Sequence, residues 1–288
     1  MILDWNGQLV LDTAATASLA GQPSALADGL YETLRCYGGM PFDLDTHLRR
    51  LQEGCSMLRI EADIGQGRWR SRIQALLEAN EMSSQDARIR IVVHRSSSLE
   101  ISTSVNMAIL VWPLATHAME ERRKKGLVMI TAADRRLPTC RLFHIKSLNL
   151  LATAIAQQEA KQLEADDALF LNAESEVCEA TYSNLFAVPG YGYLRTPPLS
   201  SPCLAGVTRM HVMRLARREG WKVEESPLSL AELEKAEEMF LTSSVSELMP
   251  VIRFNGNAVG EARPGATFGL LQERYSELVQ ETLAKASS

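Results

Sequence analysis

Two residues of this chain have the types and the surroundings for chemistry on an amino compound, namely Lys146 and Glu179. Lys146 lies within His144–Leu151, which we interpret as the place where an apolar strand ends and a helix begins. Burial disfavours the ammonium form of a lysine, and the free amine can attack an aldehyde to form a Schiff base. Glu179 lies in a second predicted strand, and a buried acid can hold a heteroaromatic nitrogen protonated.

Each of these residues also has a plainer explanation. A lysine is most often a surface charge, and Lys146 taken alone leaves both explanations open. An unpaired buried carboxylate is costly, so Glu179 needs a partner. That partner is either an arginine or the N–H group of a pyridinium ring. A lysine and an acid used together in these ways are what pyridoxal phosphate chemistry requires.

Three further segments have the composition of phosphate sites. Gly206–Arg209 opens a predicted helix, where free backbone N–H groups and the helix dipole favour an anion, although an ordinary threonine N-cap also fits. The hydroxyl-rich turn Thr242–Ser246 can hold an anion or cap the segment that follows. Two arginines, Arg49 and Arg50, lie on an earlier predicted helix, where one could reach a phosphate while the other faces water.

The elements that must position these groups divide the chain into two parts. Residues 1–115 are predicted to form a small α+β unit, in which alternating apolar residues indicate strands and apolar stripes indicate helices. The predicted strands are Leu9–Leu11, Gly29–Tyr37, Ile89–Val93 and Val105–Trp112, and the helices begin at Asp45 and Trp69. Residues 116–126 carry a run of charges and are predicted to be a solvated linker or a short connecting helix.

Residues 127–288 are predicted to form a larger C-terminal domain of mixed strands and helices. The predicted strands are Val128–Thr131, Ala168–Asn172, Val177–Val188 and Met239–Thr242, and the helices are Leu148–Glu164, Val207–Arg218 and Leu230–Ala236. The expected fold class is therefore α/β (α+β) with two domains.

The bulk composition excludes several classes of protein. Of the 288 residues, 46% are hydrophobic and 23% are charged, which is the balance of a soluble globular protein. The net charge of −5 predicts no general affinity for nucleic acid or for an anionic membrane. No secretory signal and no membrane-spanning stretch is predicted. The five cysteines form no Cys-x-x-Cys pair, and the five histidines have no zinc-ligand spacing, so we expect reduced cytoplasmic thiols and no metal.

In the order and spacing of six segments, the chain resembles the class IV (fold type IV) pyridoxal phosphate enzymes. These segments are Gly29–Arg35, His47–Leu51, Lys146–Asn149, Glu179–Phe186, Gly206–Arg209 and Phe240–Ser244. That family includes branched-chain aminotransferases, D-amino acid aminotransferases and 4-amino-4-deoxychorismate lyases. The resemblance implies two α/β domains with pyridoxal 5′-phosphate between them, and a homodimer.

The resemblance also implies roles for individual residues. Lys146 matches the Schiff-base lysine, which also moves the proton between the substrate Cα and the cofactor, and Glu179 matches the partner of the pyridine nitrogen. The residues that match phosphate or ring contacts are Arg50, Leu204, Val207, Thr208 and Ser244. The residues that match the substrate pocket are Tyr31, Arg35, Arg90 and Val245, although a surface strand position also fits Arg90.

The function that the resemblance implies is transfer of an amino group between a small amino acid and a 2-oxo acid. The alternative is the lyase reaction, which releases pyruvate and 4-aminobenzoate, and a third possibility is a cofactor-binding protein without catalysis. Pyruvate-releasing relatives carry a loop rich in glycine and arginine after the strand that ends here at His94, whereas this chain has Arg95–Glu100 with three serines. D-amino acid enzymes place an arginine and a histidine in that loop, and this shorter loop shows neither at the expected place.

Overall fold

The computed structural model describes residues 1–15, 26–95 and 104–287. It contains two compact units. The first comprises Met1–Ala115 together with Ile145–Asn149, and the second comprises Thr116–His144 and Leu150–Ser288. The grouping of residues 145–149 with the N-terminal unit was not indicated by the sequence. The serines that follow Arg95 lie outside the described residues.

The N-terminal unit is built on a six-stranded antiparallel sheet with the order β2-β1-β6-β5-β3-β4. The strands are β1 Ile2–Trp5, β2 Gln8–Leu11, β3 Gly29–Tyr37, β4 Met40–Pro41, β5 Ala87–Arg95 and β6 Val105–Pro113. Two helices, α1 Leu44–Leu58 and α2 Gln66–Ala79, pack against it. Strands β2, β3, β5 and β6 contain the predicted strands, whereas β1 and β4 were not predicted. Helices α1 and α2 begin one and three residues before their predicted starts.

Alternation along the strands gives this sheet two different faces. In β5, Ile89, Ile91 and Val93 are fully buried and pack in one core cluster with residues of α1 and α2. Arg88 and Arg90 have the opposite parity and are half-buried, since successive side chains point to opposite sides of a strand. The second face of the sheet therefore carries these two arginines in place of the isoleucines of the first face.

The C-terminal unit contains a nine-stranded mixed sheet with the order β12-β11-β10-β13-β14-β7-β8-β9, and β15 pairs with β14. The strands are β7 Leu127–Arg136, β8 Asp167–Asn172, β9 Val177–Ala180, β10 Asn184–Gly190, β11 Tyr193–Thr196, β12 Lys222–Glu225, β13 Glu238–Ser243, β14 Glu247–Phe254 and β15 Asn257–Ala258. The helices are α3 Thr116–Lys125, α4 Leu151–Gln162, α5 Val207–Arg218, α6 Leu230–Leu233 and α7 Ala266–Ser287.

The structure corrects the expected surroundings of Lys146. No strand leads into this residue, because residues 141–144 form a short 3-10 helix that is followed by a turn. The predicted helix starts at Leu151 rather than Leu148, because the backbone of residues 146–148 is hydrogen-bonded to β3. An extended pairing of this kind is incompatible with helical hydrogen bonds.

The predicted strand Val177–Val188 is also wrong as a single element. It is interrupted at residues 181–183 and forms β9 and β10. The backbone N–H of Ala180 donates to the carbonyl of Ser183, and the Thr181 N–H donates to the Asp167 carboxylate. These bonds replace ladder pairing at the break. Within the described residues, no helix is long and apolar enough to cross a bilayer.

Candidate active site

Lys146 is held in the N-terminal unit by backbone pairing with β3. The N–H of Tyr31 donates to the carbonyl of Lys146 over 2.9 Å, and the N–H of Leu148 donates to the carbonyl of Gly29 over 3.0 Å. A Cβ atom at Gly29 would lie 2.6 Å from the carbonyl oxygen of Val93 and 2.8 Å from a methyl group of Leu148. The close approach of the lysine segment to β3 therefore requires a glycine at position 29.

The ring of Tyr31 has two cationic neighbours. The Nζ atom of Lys146 lies 4.5 Å from the ring centroid, and the guanidinium carbon of Arg90 lies 4.9 Å from it. Both distances are typical of cation–π contacts. The structure thus brings together three of the predicted site residues, Lys146, Tyr31 and Arg90, within one unit.

Arg50 is oriented by a buried acid that the sequence motifs did not single out. Glu32 is fully buried, and its two carboxylate oxygens accept hydrogen bonds from Nε and Nη2 of Arg50, each over 2.7 Å. Nδ1 of His47 lies 2.8 Å from the same carboxylate. Burial alone would raise the pKa of Glu32, but the charges and hydrogen bonds of Arg50 and His47 hold it well below its usual value.

One signal in the sequence could have identified Glu32. It occupies a position of β3 that shares its parity with Leu30 and Leu34, so alternation places it in the core. A carboxylate in the core requires a charged partner. Arg35, which the resemblance places in the substrate pocket, is paired in the structure with Asp86 over 2.7 Å, and its guanidinium carbon lies 4.3 Å from the Tyr37 ring centroid.

Glu179 is fixed in the C-terminal unit by three donors. Its Oε1 accepts a hydrogen bond from Nη1 of Arg136 over 2.6 Å, and its Oε2 accepts from Asn184 Nδ2 over 3.2 Å and from the Leu204 N–H over 3.0 Å. Of the two partners left open for this acid, the structure shows the arginine. A carboxylate offers about four lone-pair sites, so three donors leave capacity for one more.

Arg136 is itself held in place. It is buried, it donates from Nη1 to the carbonyl of Pro202 over 3.0 Å, and its guanidinium lies 4.2 Å from the Phe170 ring centroid and 4.9 Å from that of Phe143. Sequence reasoning missed Arg136, because it precedes Glu179 by 43 residues and no motif joins the two. Only the pairing of β7 with β8, and of β8 with β9, brings them together.

The structure rules out a threonine N-cap at α5. The N-cap residue is Gly206, and the helix begins at Val207. A Cβ atom at Gly206 would lie 1.9 Å from Oδ1 of Asn184, so a side chain there is incompatible with this packing. Thr208 is buried, and its hydroxyl has no hydrogen-bond partner among the described residues. The hydroxyl of Thr242 on β13 is buried in the same way.

A buried hydroxyl without a protein partner is able to donate a hydrogen bond to a bound anion. Leaving a buried polar group unpaired costs about 1–3 kcal/mol, and such groups are therefore rare unless a ligand satisfies them. Thr208 lies in the first turn of α5, where N–H groups and the helix dipole favour a phosphate. The residues present therefore fit the phosphate group that the sequence motifs predict.

The turn that carries Ser244 and Val245 is anchored by Arg123. This arginine donates from Nη2 to the Ser246 carbonyl over 3.1 Å and from Nε to the Leu248 carbonyl over 3.1 Å, and it forms an ion pair of 2.9 Å with Glu247. The basic run on α3 was interpreted as a solvated surface. For Arg123 that interpretation is wrong, because its side chain is only 17% exposed.

Among the residues that the structure describes, no group of three or more histidine, cysteine or acidic side chains could hold a metal ion.

The predicted site residues form two sets, one in each unit. The set in the N-terminal unit comprises Tyr31, Arg35, Arg50, Arg90 and Lys146, and that in the C-terminal unit comprises Glu179, Leu204, Val207, Thr208, Ser244 and Val245.

Comparison with known proteins identifies relatives along almost the whole chain. The family described as Amino-transferase class IV matches residues 29–254. A putative branched-chain-amino-acid aminotransferase of Methanocaldococcus jannaschii is 30% identical over 275 residues, which cover 95% of this chain and 94% of the relative. A D-alanine aminotransferase of Bacillus licheniformis is 28% identical over 284 residues, with 98% of each chain covered.

Solved structures show the same fold. A branched-chain amino acid aminotransferase from Thermobaculum terrenum, solved in its PLP form, has a TM-score of 0.86 and 26% identity, and the match covers 98% of this chain and 94% of that one. An enzyme of the same name from Thermoproteus uzoniensis has a TM-score of 0.87 and 24% identity, with 98% and 95% covered.

These findings confirm the predicted mixed fold and the aminotransferase class of enzyme, and they do not favour the lyase alternative. The roles of individual residues stay predictions. The matched region contains every segment from which the resemblance was drawn, including Lys146 and Glu179. The chain therefore belongs to the class IV aminotransferases.

Proposed function

We propose that this protein is a pyridoxal phosphate-dependent aminotransferase that moves an amino group between a small amino acid and a 2-oxo acid. Pyridoxal 5′-phosphate is the cofactor of this family. The names of the relatives suggest branched-chain amino acids and D-alanine as the first amino donors to test. Residues of both units support the proposal. Lys146 of the N-terminal unit would react with the cofactor, and Glu179 and Thr208 of the C-terminal unit would bind its ring and its phosphate.

The observation that carries the proposal is the placement of Lys146. Its backbone is fixed to β3, and its amine lies against the ring of Tyr31 rather than in open solvent. When bound, pyridoxal phosphate supplies an aldehyde and an electron-withdrawing ring. Lys146 would bind that aldehyde through Nζ, and the same atom would take the proton from the substrate Cα and return it.

Glu179 would accept a hydrogen bond from the protonated ring nitrogen. Three protein donors hold its carboxylate in place, and the carboxylate keeps the capacity to accept one more hydrogen bond. The hydroxyl of Thr208 and the N–H groups of Val207 and Thr208 would hold the phosphate, with Ser244 as a further donor. Arg50 would add a positive charge, in an orientation that Glu32 sets.

Reductive trapping tests the proposal directly. Purified protein incubated with pyridoxal phosphate should absorb visible light, and borohydride followed by mass spectrometry of peptides should find the adduct on Lys146. The band and the adduct should both be lost in Lys146→Ala and kept in Lys161→Ala, which removes an exposed lysine of α4. An adduct on another lysine would contradict the assignment.

We also propose a homodimer in the cytoplasm. Exposed apolar side chains on and beside α4 support an interface, since Leu151 is 75% exposed, Leu163 is 67% exposed and Ile155 is 41% exposed. All five cysteines are free thiols, which suits a reducing compartment. Light scattering at micromolar concentration should give the mass of two chains, and the mass of one chain would contradict the dimer.

A further inference from the structure

The turn between β13 and β14 leads into a glutamate whose backbone conformation favours glycine. Strand β13 ends at Ser243, which pairs with Glu247 at the start of β14, and residues 244–246 form the turn. Glu247 has a φ of 59°, in the left-handed region, where a side chain crowds the backbone and glycine is the usual residue of hairpin loops. Of the ten non-glycine residues with a left-handed backbone in the described parts of the chain, Glu247 alone is buried.

The side chain of Glu247 is held by two helices. Its Oε2 accepts hydrogen bonds from Nη2 of Arg123 on α3 and from Nε2 of Gln272 on α7, each over 2.9 Å. The same guanidinium donates to the carbonyls of Ser246 and Leu248, the residues directly before and after the glutamate. The chain is therefore fixed on both sides of Glu247 as well as at its carboxylate.

The turn itself presents unused backbone donors. Ser244 and Val245 are half-buried, and their N–H groups donate to no acceptor within the described residues. The next N–H group, that of Ser246, donates to the hydroxyl of Ser243 over 3.2 Å. Successive unpaired N–H groups in a turn form a concave site for an anion. An anion is therefore the ligand that this turn favours.

The side chain of Asn184 links this turn to the start of α5. Asn184 pairs with Thr242 in the register of β10 and β13, two residues before Ser244. A Cβ atom at Gly206, the N-cap of α5, would lie 1.9 Å from Oδ1 of Asn184. The end of β13 and the start of α5 are therefore neighbours of one side chain. This arrangement supports one anion that is shared by the turn and the helix start.

We propose that Glu247 is a positioning residue, which through Arg123 and Gln272 holds the turn in the shape that binds the phosphate of the cofactor. This inference rests on the proposed pyridoxal phosphate-dependent function. A glycine at position 247 would adopt the same backbone conformation with less strain, so the conformation alone does not explain the glutamate. The carboxylate supplies what glycine lacks, namely an anchor for side chains of two helices.

Pyridoxal and pyridoxal 5′-phosphate provide a matched pair of ligands, because they differ only in the phosphate group. Each should be titrated into the cofactor-free protein, and the visible band followed. In Glu247→Gly the affinity for pyridoxal phosphate should fall by about tenfold, the value of one lost hydrogen bond to a charged group. The affinity for pyridoxal should change by less than about twofold, because pyridoxal makes no contact through a phosphate.

Two further variants separate the anchor from the backbone conformation. Glu164 is also a left-handed glutamate, with a φ of 55°, but it is exposed, so Glu164→Gly should leave both affinities unchanged. Glu247→Gln keeps an oxygen that accepts hydrogen bonds from Arg123 and Gln272, and it should restore part of the affinity for pyridoxal phosphate. This variant also keeps the test open if Glu247→Gly does not fold, since its affinity should lie below that of the wild type.

Equal losses of affinity for the two ligands in Glu247→Gly would overturn the inference, because a general loosening of the fold affects both. An unchanged or higher affinity for pyridoxal phosphate would overturn it as well. Binding of inorganic phosphate to the cofactor-free protein, measured by calorimetry, tests the turn independently and should weaken by about tenfold in Glu247→Gly. A wild type that forms no visible band with either ligand would instead count against the proposed function.

Discussion

Nη1 of Arg136 lies 2.6 Å from Oε1 of Glu179, and both side chains are largely shielded from solvent. The ion pair joins β7 to β9, which are not neighbours in the sheet, because β8 lies between them. The rings of Phe143 and Phe170 enclose the guanidinium. Because the Glu179 carboxylate is paired with Arg136 in this enclosed place, removal of Arg136 should destabilise the folded protein.

Replacing Arg136 by methionine keeps an unbranched apolar stem and removes the charged guanidinium group. The carboxylate of Glu179 would then be enclosed with two weaker donors, and breaking a buried pair from one side costs about 3–5 kcal/mol. Urea unfolding should show this loss. Arg122→Met is the control, since its pair with Asp166 is half exposed and should contribute less than about 1 kcal/mol. Equal losses in the two variants would contradict the prediction.

Gly29→Ala should disturb the segment that carries Lys146. The added methyl group would meet the carbonyl of Val93 and the side chain of Leu148, and overpacking of this kind costs about 1–3 kcal/mol. Thermal unfolding measures the loss, and hydrogen exchange at Tyr31 and Leu148 should become faster. Gly67→Ala on α2 meets nothing within 4 Å and should stabilise by about 0.5–1 kcal/mol. Slow exchange in Gly29→Ala would contradict this account.

Thr208→Val tests the unpartnered hydroxyl. Valine has the same shape, and the hydroxyl makes no hydrogen bond within the described residues, so the free energy of unfolding without cofactor should not fall. The affinity for pyridoxal phosphate, measured by absorbance titration, should fall by about tenfold. Thr267→Val removes another unpartnered hydroxyl, at the start of α7, and should leave this affinity unchanged. A loss of affinity in both variants would show that the effect is not local.

The pairing of Glu32 predicts a specific response to acid. Its pKa is lower in the folded protein than in the unfolded chain, so its stabilising contribution is complete above the unfolded pKa. That contribution is lost progressively as the pH falls below about 4.3, the ordinary pKa of a glutamate. Glu32→Gln should flatten the acid limb of unfolding free energy against pH, whereas Glu53→Gln, at an exposed position of α1, should not. An unaltered acid limb in Glu32→Gln would contradict the pairing.

The elements that could be predicted from the sequence are those whose pattern is local. Strand β3 and helix α5 agree with their predicted limits, because alternation and helical periodicity repeat along each segment. The surroundings of Lys146 could not be predicted, because pairing with a strand more than a hundred residues earlier prevents the helix from starting at Leu148. Local pattern carries no information about such a partner.

The same distinction applies to the candidate site. Lys146, Glu179 and the start of α5 could be singled out as candidates because their neighbours in sequence form recognisable motifs, and their roles stay predictions. Arg136, Glu32 and Arg123 could not, because each acts on a residue that only the folded chain brings near. Arg123 lies in the charged run of α3, and nothing in that run indicates which turn of the folded chain its side chain will contact.

The membership of Ile145–Asn149 in the N-terminal unit has a consequence for how this chain can be divided. A break after residue 115 would separate β3 from residues 145–149, which contain the segment paired with it, and Lys146 would be left on the other fragment. Exchange of the N-terminal unit between two relatives therefore has to transplant two stretches of gene, not one. A chimera joined at a single junction would combine β3 of one relative with the Lys146 segment of another.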